Sequence, residues 1–276
     1  MILVILTSHR MDCFSLCLEC LERHTNLALF ERVYVMANAP AQEHWRMVGD
    51  FARRHGNAKA VYFEPRGMRY ATIAQQEILK KHADSLVVKM DEDVFVTENW
   101  LQGLVSTYKK EHPKGCGLVS ALVPNNNVGR DVLDKNFRAS FPEYAEGECL
   151  QNGKISTNPR YALWLWKNFI SGSMVYSRKG LLKGLQTQPL NGRYLNINCI
   201  LMNPELLGYI IKMFEYINDE DAINTFLRLE QCPLYGVVTP DSVAHHYSYS
   251  FGPQQKKLDA HISLSDIRNR LLGNTL

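Results

Sequence analysis

The segment Val87-Val88-Lys89-Met90-Asp91-Glu92-Asp93 carries two carboxylates, spaced two residues apart, out of an apolar run. Asp91 and Asp93 are a donor set for a hard divalent cation. Mg²⁺ and Mn²⁺ take oxygen ligands, are held by one or two carboxylates, and complete their shell with water and substrate phosphates. A cation held there would neutralise a departing diphosphate. The bare pattern also fits a solvated acidic turn after a strand. A second acidic run, Asp219-Glu220-Asp221, precedes a helical pattern, where carboxylates suit the helix N-terminus through capping and the macrodipole. The doublet His245-His246 could supply an imidazole to the same cation. Adjacent histidines point in different directions, so one of the two would face it, and both stand as candidates.

The elements that must position these groups follow from apolar runs bounded by polar turns. Strands are expected over Ile2 to Leu6, Val33 to Met36, Ala60 to Phe63 and Ser85 to Met90. Helices are expected between them, over Asp12 to His24, Gln42 to His55 and Tyr70 to Lys81. Strand, helix and strand in that order give parallel pairing, and an open parallel sheet gathers its ligands at the strands' C-terminal edge. The fourth strand ends at Asp91-Glu92-Asp93, on that edge. Further on, strands are expected over Gly117 to Val123, Phe169 to Tyr176 and Tyr235 to Val238, with helices over Leu206 to Tyr216 and Asp221 to Leu229. Pro124 to Pro159, rich in Asn, Gly and Pro, reads as a long polar loop. Trp164, Trp166 and Phe169, before Ser171-Gly172-Ser173, could offer aromatic faces to a ligand or join a core cluster.

The 276-residue chain is 46% hydrophobic and 21% charged, enough to bury one substantial core and far from a disordered composition. Its 31 basic and 28 acidic residues are interspersed and leave a net charge of +3, without the basic stripe of a nucleic-acid binder. Met1 to Leu6 is too short for a signal-peptide core, and no later run suffices for a membrane span, so a cytoplasmic protein is expected. Among the 7 cysteines, Cys13, Cys17 and Cys20 share one helical face. Without a second Cys/His pair, that face is expected to be core and not zinc.

With these elements in place, the chain resembles the GT-A glycosyltransferases, most closely the large inverting family of bacterial polysaccharide and lipopolysaccharide transferases. The resemblance covers roughly residues 1 to 246 in short motifs. Ile2 to Arg10 is similar to the family's first strand and nucleotide-holding turn, which implies roles for Thr7, His9 and Arg10. Pro65-Arg66-Gly67-Met68-Arg69 resembles the nucleotide-contacting segment, implying Arg66, Gly67 and Arg69. Asp91 and Asp93 fall on the family's D-x-D, with Glu92 between them on the donor side. Asp219-Glu220-Asp221 resembles the Glu-Asp pair whose Asp is the catalytic base, here Asp221, which would take the acceptor hydroxyl's proton. His245 or His246 falls where many such enzymes place a third metal ligand. One departure is Asn38, standing where the family commonly has an Asp that contacts base or ribose.

The implied architecture is a single GT-A domain, α/β with a mostly parallel central sheet, over residues 1–250. Residues 1–123 would form the nucleotide half and 124–250 the acceptor side, with a helical tail over 251–276. The implied ligands are Mn²⁺ or Mg²⁺ and a nucleotide-sugar donor, a UDP-sugar by default or a GDP-sugar, with a carbohydrate or lipid-linked glycan as acceptor. The tail is expected to pack as a plain amphipathic helix; its other readings are a cover for the site, a homodimer contact or a peripheral contact with an anionic membrane. Two rival functions share the fold. A sugar-phosphate nucleotidyltransferase would carry a Gly-rich loop where this chain has Thr7-Ser8-His9-Arg10-Met11, and a catalytically silent scaffold would not need Asp91, Asp93 and Asp221.

Overall fold

The computed structural model describes residues 1–124, 126–143, 184–247 and 263–272, together with Tyr161, Trp164, Leu165, Asn168 and Leu182. Four strands open the chain: β1 (Ile2–Thr7), β2 (Arg32–Asn38), β3 (Ala58–Phe63) and β4 (Val87–Asp91). β1 and β4 are apolar almost throughout because a parallel strand is covered on both faces. Helices α1 (Met11–His24), α2 (Gln42–Arg54) and α3 (Met68–Lys81) supply the crossovers. The strands pair in parallel in the order β3-β2-β1-β4, with Leu6 opposite Asp91 and Asn38 opposite Phe63. Thr7, Asn38, Phe63 and Asp91 therefore reach one sheet edge together.

Beyond β4 the sheet, nine-stranded among the described residues, becomes mixed, continuing through β8 (Cys199–Met202), β6 (Cys116–Leu122), β9 (Tyr235–His246) and β5 (Val94–Val96) in that order. After a turn at Glu92-Asp93 comes β5 (Val94–Val96), then α4 (Trp100–Glu111) and β6 (Cys116–Leu122). Next are α5 (Asn127–Ser140), the short β7 (Gln188–Pro189) and β8 (Cys199–Met202), which lies antiparallel between β4 and β6. Helices α6 (Pro204–Met213) and α7 (Asp219–Leu227) lead to β9 (Tyr235–His246). β9 runs parallel to β6 and then antiparallel to β5, setting His246 opposite Val94. Where α4 crosses β9, a Cβ on Gly103 would lie 2.2 Å from the Asp241 carbonyl oxygen, so only glycine permits that approach.

Several sequence expectations are corrected here. Pro124 to Pro159 is not one long loop: α5 occupies its first part, burying Val128, Leu133 and Phe137. Averaging composition over the whole stretch hid that apolar spacing. β5, α4 and β8 were not anticipated, since β5 and β8 are too short to show a period. The histidine doublet does not follow the last strand but ends it, because β9 runs eight residues past Val238 to pair with β5. The strand expected over Phe169 to Tyr176 lies outside the described residues, as do Trp166 and Ser171-Gly172-Ser173. Trp164 is buried against Phe137 and Tyr161, which places it in the core.

The cysteine face of α1 is buried beside Phe14, Leu18 and Leu21. In the tail, α8 (Leu264–Leu272) packs on α1: Ile267 is fully buried and Arg268 pairs with Glu19. Among the described residues, no helix is long and apolar enough to cross a membrane.

Candidate functional site

The C-terminal sheet edge opens into a pocket of about 670 Å³. Thr7, His9, Arg10, Asn38, Arg66, Gly67, Asp91, Glu92, Asp93, Asp221 and His246 all line it, drawn from distant parts of the sequence. Two expected residues do not. Arg69 lies within α3, which begins at Met68, and its guanidinium turns to the carbonyl oxygens of Phe214 and Glu215 at the end of α6. His245 points to the opposite side of β9 from His246. It is buried beside the Phe95 ring, and burial with the neighbouring His246 pushes its pKa down to about 3.

The end of the pocket after β1 is braced by Glu92, which is buried. Its Oε2 accepts from Thr7 Oγ1 at 2.6 Å and from the Ser8 amide at 2.9 Å, and its Oε1 accepts from the His9 amide at 3.4 Å. Glu92 thus fixes the turn after β1. Thr7 Oγ1 donates its one hydrogen bond to Glu92, so His44 Nε2 donates to it at 2.6 Å. Asn38 donates to the Pro65 carbonyl oxygen at 3.0 Å and accepts from the Gly67 amide at 2.8 Å. It holds the segment leading into α3, and Gly67 there has φ 144°, which favours glycine. Arg66 donates to the Ala39 carbonyl oxygen, and Arg10 forks onto Asp12 while lying over the Tyr247 ring.

The two carboxylates of the D-x-D have different neighbours. Asp91 Oδ1 lies 3.2 Å from Lys89 Nζ, and Asp91 Oδ2 accepts from Asn198 Nδ2 at 2.9 Å. Burial, with Asp93 adding to it, outweighs Lys89 and holds the Asp91 pKa above the usual carboxylate value. Asp93 Oδ1 lies 3.3 Å from His246 Nε2. Burial opposes ionisation there too, but the His246 charge and hydrogen bond prevail and the Asp93 pKa falls. His246 shifts in the complementary direction: burial works against its charge, and Asp93 more than offsets it.

The donor chemistry of this corner fits a divalent cation. Asn126 Oδ1, an acceptor, lies 3.2 Å from His246 Nδ1, so Nδ1 carries a proton, and a cation beside Asp93 would take the Nε2 lone pair in place of the proton shared there. Among the described residues, no three His, Cys, Asp or Glu side chains converge into a metal cage. A cation that takes most of its shell from water and phosphate does not require one.

At the other end, Asn218 caps α7 by accepting from the Asp221 amide at 2.8 Å, so the cap is one residue before the acidic run. The Asp221 carboxylate accepts from Tyr194 Oη at 3.1 Å and from Asn218 Nδ2 at 2.6 Å. Burial, then Glu220 and Asp221, raise the Tyr194 pKa, so the phenol stays a donor. Lys89, Gln75, Tyr194, Asn198 and Asn218 line the pocket and were not found from sequence. Only Lys89 gave a signal, a charge inside an apolar strand; the others sit in segments without a pattern.

No family model matches the chain, and no curated protein sequence matches it. Solved structures do. A mannosyltransferase, PcManGT from Pyrobaculum calidifontis in complex with GDP-Man and Mn²⁺, superposes with a TM-score of 0.52 at 14% identity, over 89% of this chain and 56% of that one. Residues 1–349 of S. aureus TarS superpose with a TM-score of 0.50 at 14% identity, over 90% of this chain and 60% of that one. The chain therefore spans somewhat over half the length of each structure. The described architecture, with its strand order, its edge pocket and these likenesses, is a GT-A-like glycosyltransferase fold.

Proposed function

We propose that the protein transfers a sugar from a nucleoside-diphosphate sugar to an acceptor hydroxyl, with inversion at the anomeric carbon. The observation that carries this reading is the convergence in one pocket of Asp91, Asp93, His246 and Asp221, which three separate parts of the chain supply. Asp93 and His246 would hold Mn²⁺ or Mg²⁺, with Asp91 oriented beside them by Lys89 and Asn198. A cation there supplies electrostatic stabilisation of the leaving diphosphate. The nucleoside lies in this reading on the turn braced by Glu92 and against the segment held by Asn38.

Asp221 acts as the base. Both its oxygens already accept one hydrogen bond, which fixes the carboxylate plane and leaves further lone pairs for the acceptor hydroxyl. The hydroxyl proton passes to Asp221, the acceptor oxygen bonds to the anomeric carbon, and the bond from that carbon to the diphosphate oxygen breaks, its electron pair leaving with the nucleotide. The acceptor is a carbohydrate or a lipid-linked glycan. The donor nucleotide is UDP or GDP; GDP-Man in the mannosyltransferase complex gives weight to the second.

Calorimetric titration of UDP and GDP, with and without Mn²⁺, into the wild type and Asp93→Ala tests the donor site. The expected result is metal-dependent binding of one nucleotide, weakened about tenfold or more in the variant. Absence of binding by either nucleotide in both conditions would overturn the reading and favour a scaffold role.

A further inference from the structure

Lys89 stands in the middle of β4 among Val87, Val88 and Met90, all fully buried, and its own side chain is 5% exposed. An ammonium in such surroundings is retained only when it is well paired. Its partners come from two different elements of the pocket: Asp91 Oδ1 at 3.2 Å, at the end of β4, and Asp219 Oδ2 at 3.3 Å. Burial works against its charge, and the two carboxylates more than offset that. Asp219 is the first residue of α7, two before Asp221.

The remaining contacts of Asp219 run to α3. Gln75 Nε2 donates to Asp219 Oδ2 at 3.1 Å, and the Asp219 amide donates to Thr72 Oγ1 at 3.3 Å. On the same helix Arg69, one turn before Thr72, grips the carbonyl oxygens of Phe214 and Glu215, and Gln76, next to Gln75, donates to the Ile211 carbonyl oxygen at 2.7 Å. The start of α7 is therefore suspended from α3 by polar side chains and anchored to the sheet by one ammonium. Hydrogen bonds from neutral groups hold the segment's outline, but among the described residues only Lys89 ties it to the strand that carries Asp91.

We propose that Lys89 is a positioning residue: by binding Asp91 and Asp219 together it fixes the first turn of α7 against β4 and so sets Asp221 relative to the donor end of the pocket. The inference rests on reading Asp221 as the base. It assigns to a buried lysine the alignment of the two halves of the reaction, which the D-x-D alone does not provide. Loss of the ammonium should loosen α7 and misplace Asp221 while leaving the turn braced by Glu92 intact.

The test measures amide hydrogen exchange across the protein together with kcat and nucleotide Kd, in Lys89→Met, Lys89→Arg and Asp219→Asn. In Lys89→Met, exchange in the first turn of α7 should accelerate about tenfold or more, with β1 and β2 unchanged. In Asp219→Asn, which leaves Lys89 paired with Asp91, kcat should fall about tenfold or more while nucleotide Kd stays within about threefold; in Lys89→Met kcat should fall at least as far, and Lys89→Arg should recover most of the loss. A folded Lys89→Met with unchanged exchange in α7, or with faster exchange but wild-type kcat, overturns the proposal. Should Lys89→Met fail to fold, Asp219→Asn carries the exchange test, since it cuts the same tie and leaves Lys89 paired with Asp91; unchanged exchange there overturns it equally. The exchange arm needs no turnover. Wild-type protein that binds nucleotide but transfers no sugar would sink the proposed function, while the exchange result still decides whether the tie exists.

Discussion

The two ends of the pocket are built differently. At the end proposed for the nucleotide, the backbone of parallel strands β1 to β4 delivers short turns to one edge, and buried side chains brace those turns locally: Glu92 across the turn after β1, Asn38 across the segment entering α3. At the end proposed for the base, α7 is not part of the sheet. Its first turn is held by Thr72, Gln75 and Lys89, which lie far from it in sequence, and its carboxylate is aimed by Tyr194 and Asn218. The first end inherits its rigidity from sheet pairing, whereas the second depends on a few side-chain contacts. A single substitution at the base end should therefore reach turnover without reaching nucleotide binding.

The largest expected effect is that of Asp221→Asn. Nucleotide affinity measured by calorimetry should remain near wild type, while turnover in a sugar-transfer assay falls by about 10² to 10⁴. Equal turnover would remove Asp221 from the base role and erase the contrast between the two ends.

Tyr194→Phe sharpens the same contrast with a nearly isosteric change. Losing one hydrogen bond to the Asp221 carboxylate should lower kcat about tenfold and leave the thermal midpoint and nucleotide Kd unchanged. A drop in nucleotide affinity instead would show that the ends are not separable.

At the sheet end the expected readout is stability. Gly103→Ala drives a methyl into the Asp241 backbone beneath β9, the strand that carries His246, and should cost about 1–3 kcal/mol in urea denaturation.

The smallest effect concerns His44, behind the β1 turn. Burial is the main reason its pKa lies below the ordinary 6.5, so in that range the unfolded chain binds the proton that the folded chain refuses. Its contribution is therefore fully present above 6.5 and is lost as pH falls below it. Urea midpoints for the wild type should decline on acidification more steeply than those of His44→Gln; parallel declines would remove His44 from that account.

Much of the nucleotide half was legible in the sequence. Its strands are continuous apolar runs, its helices fall between them, and their order requires a parallel edge where Asp91 and Asp93 emerge. The later half was less so. β5 and β8 are too short for a period, and the apolar spacing of α5 was lost in a polar composition. In the site, the turn residues Thr7, His9, Arg10, Arg66 and Gly67 were implied by the resemblance to family motifs, and all of them line the pocket. Arg69 was not, because α3 begins one residue before it and helical phase carries its side chain away from the pocket.

The sequence by itself determined the supply of groups: a D-x-D at the end of a buried strand, an acidic run at the start of a helix and a histidine doublet, in an order that fits an α/β edge site. Only the tertiary structure decided what each group does there. The pairing of β9 with β5 selects His246 over His245. Burial prevails over Lys89 at Asp91 while His246 prevails over burial at Asp93, so two aspartates only two residues apart shift in opposite directions, and the Lys89 ammonium joins Asp91 to Asp219. The reason is physical: ionisation and orientation depend on charges and dipoles within about 4–6 Å, and folding, not sequence adjacency, brings those neighbours together.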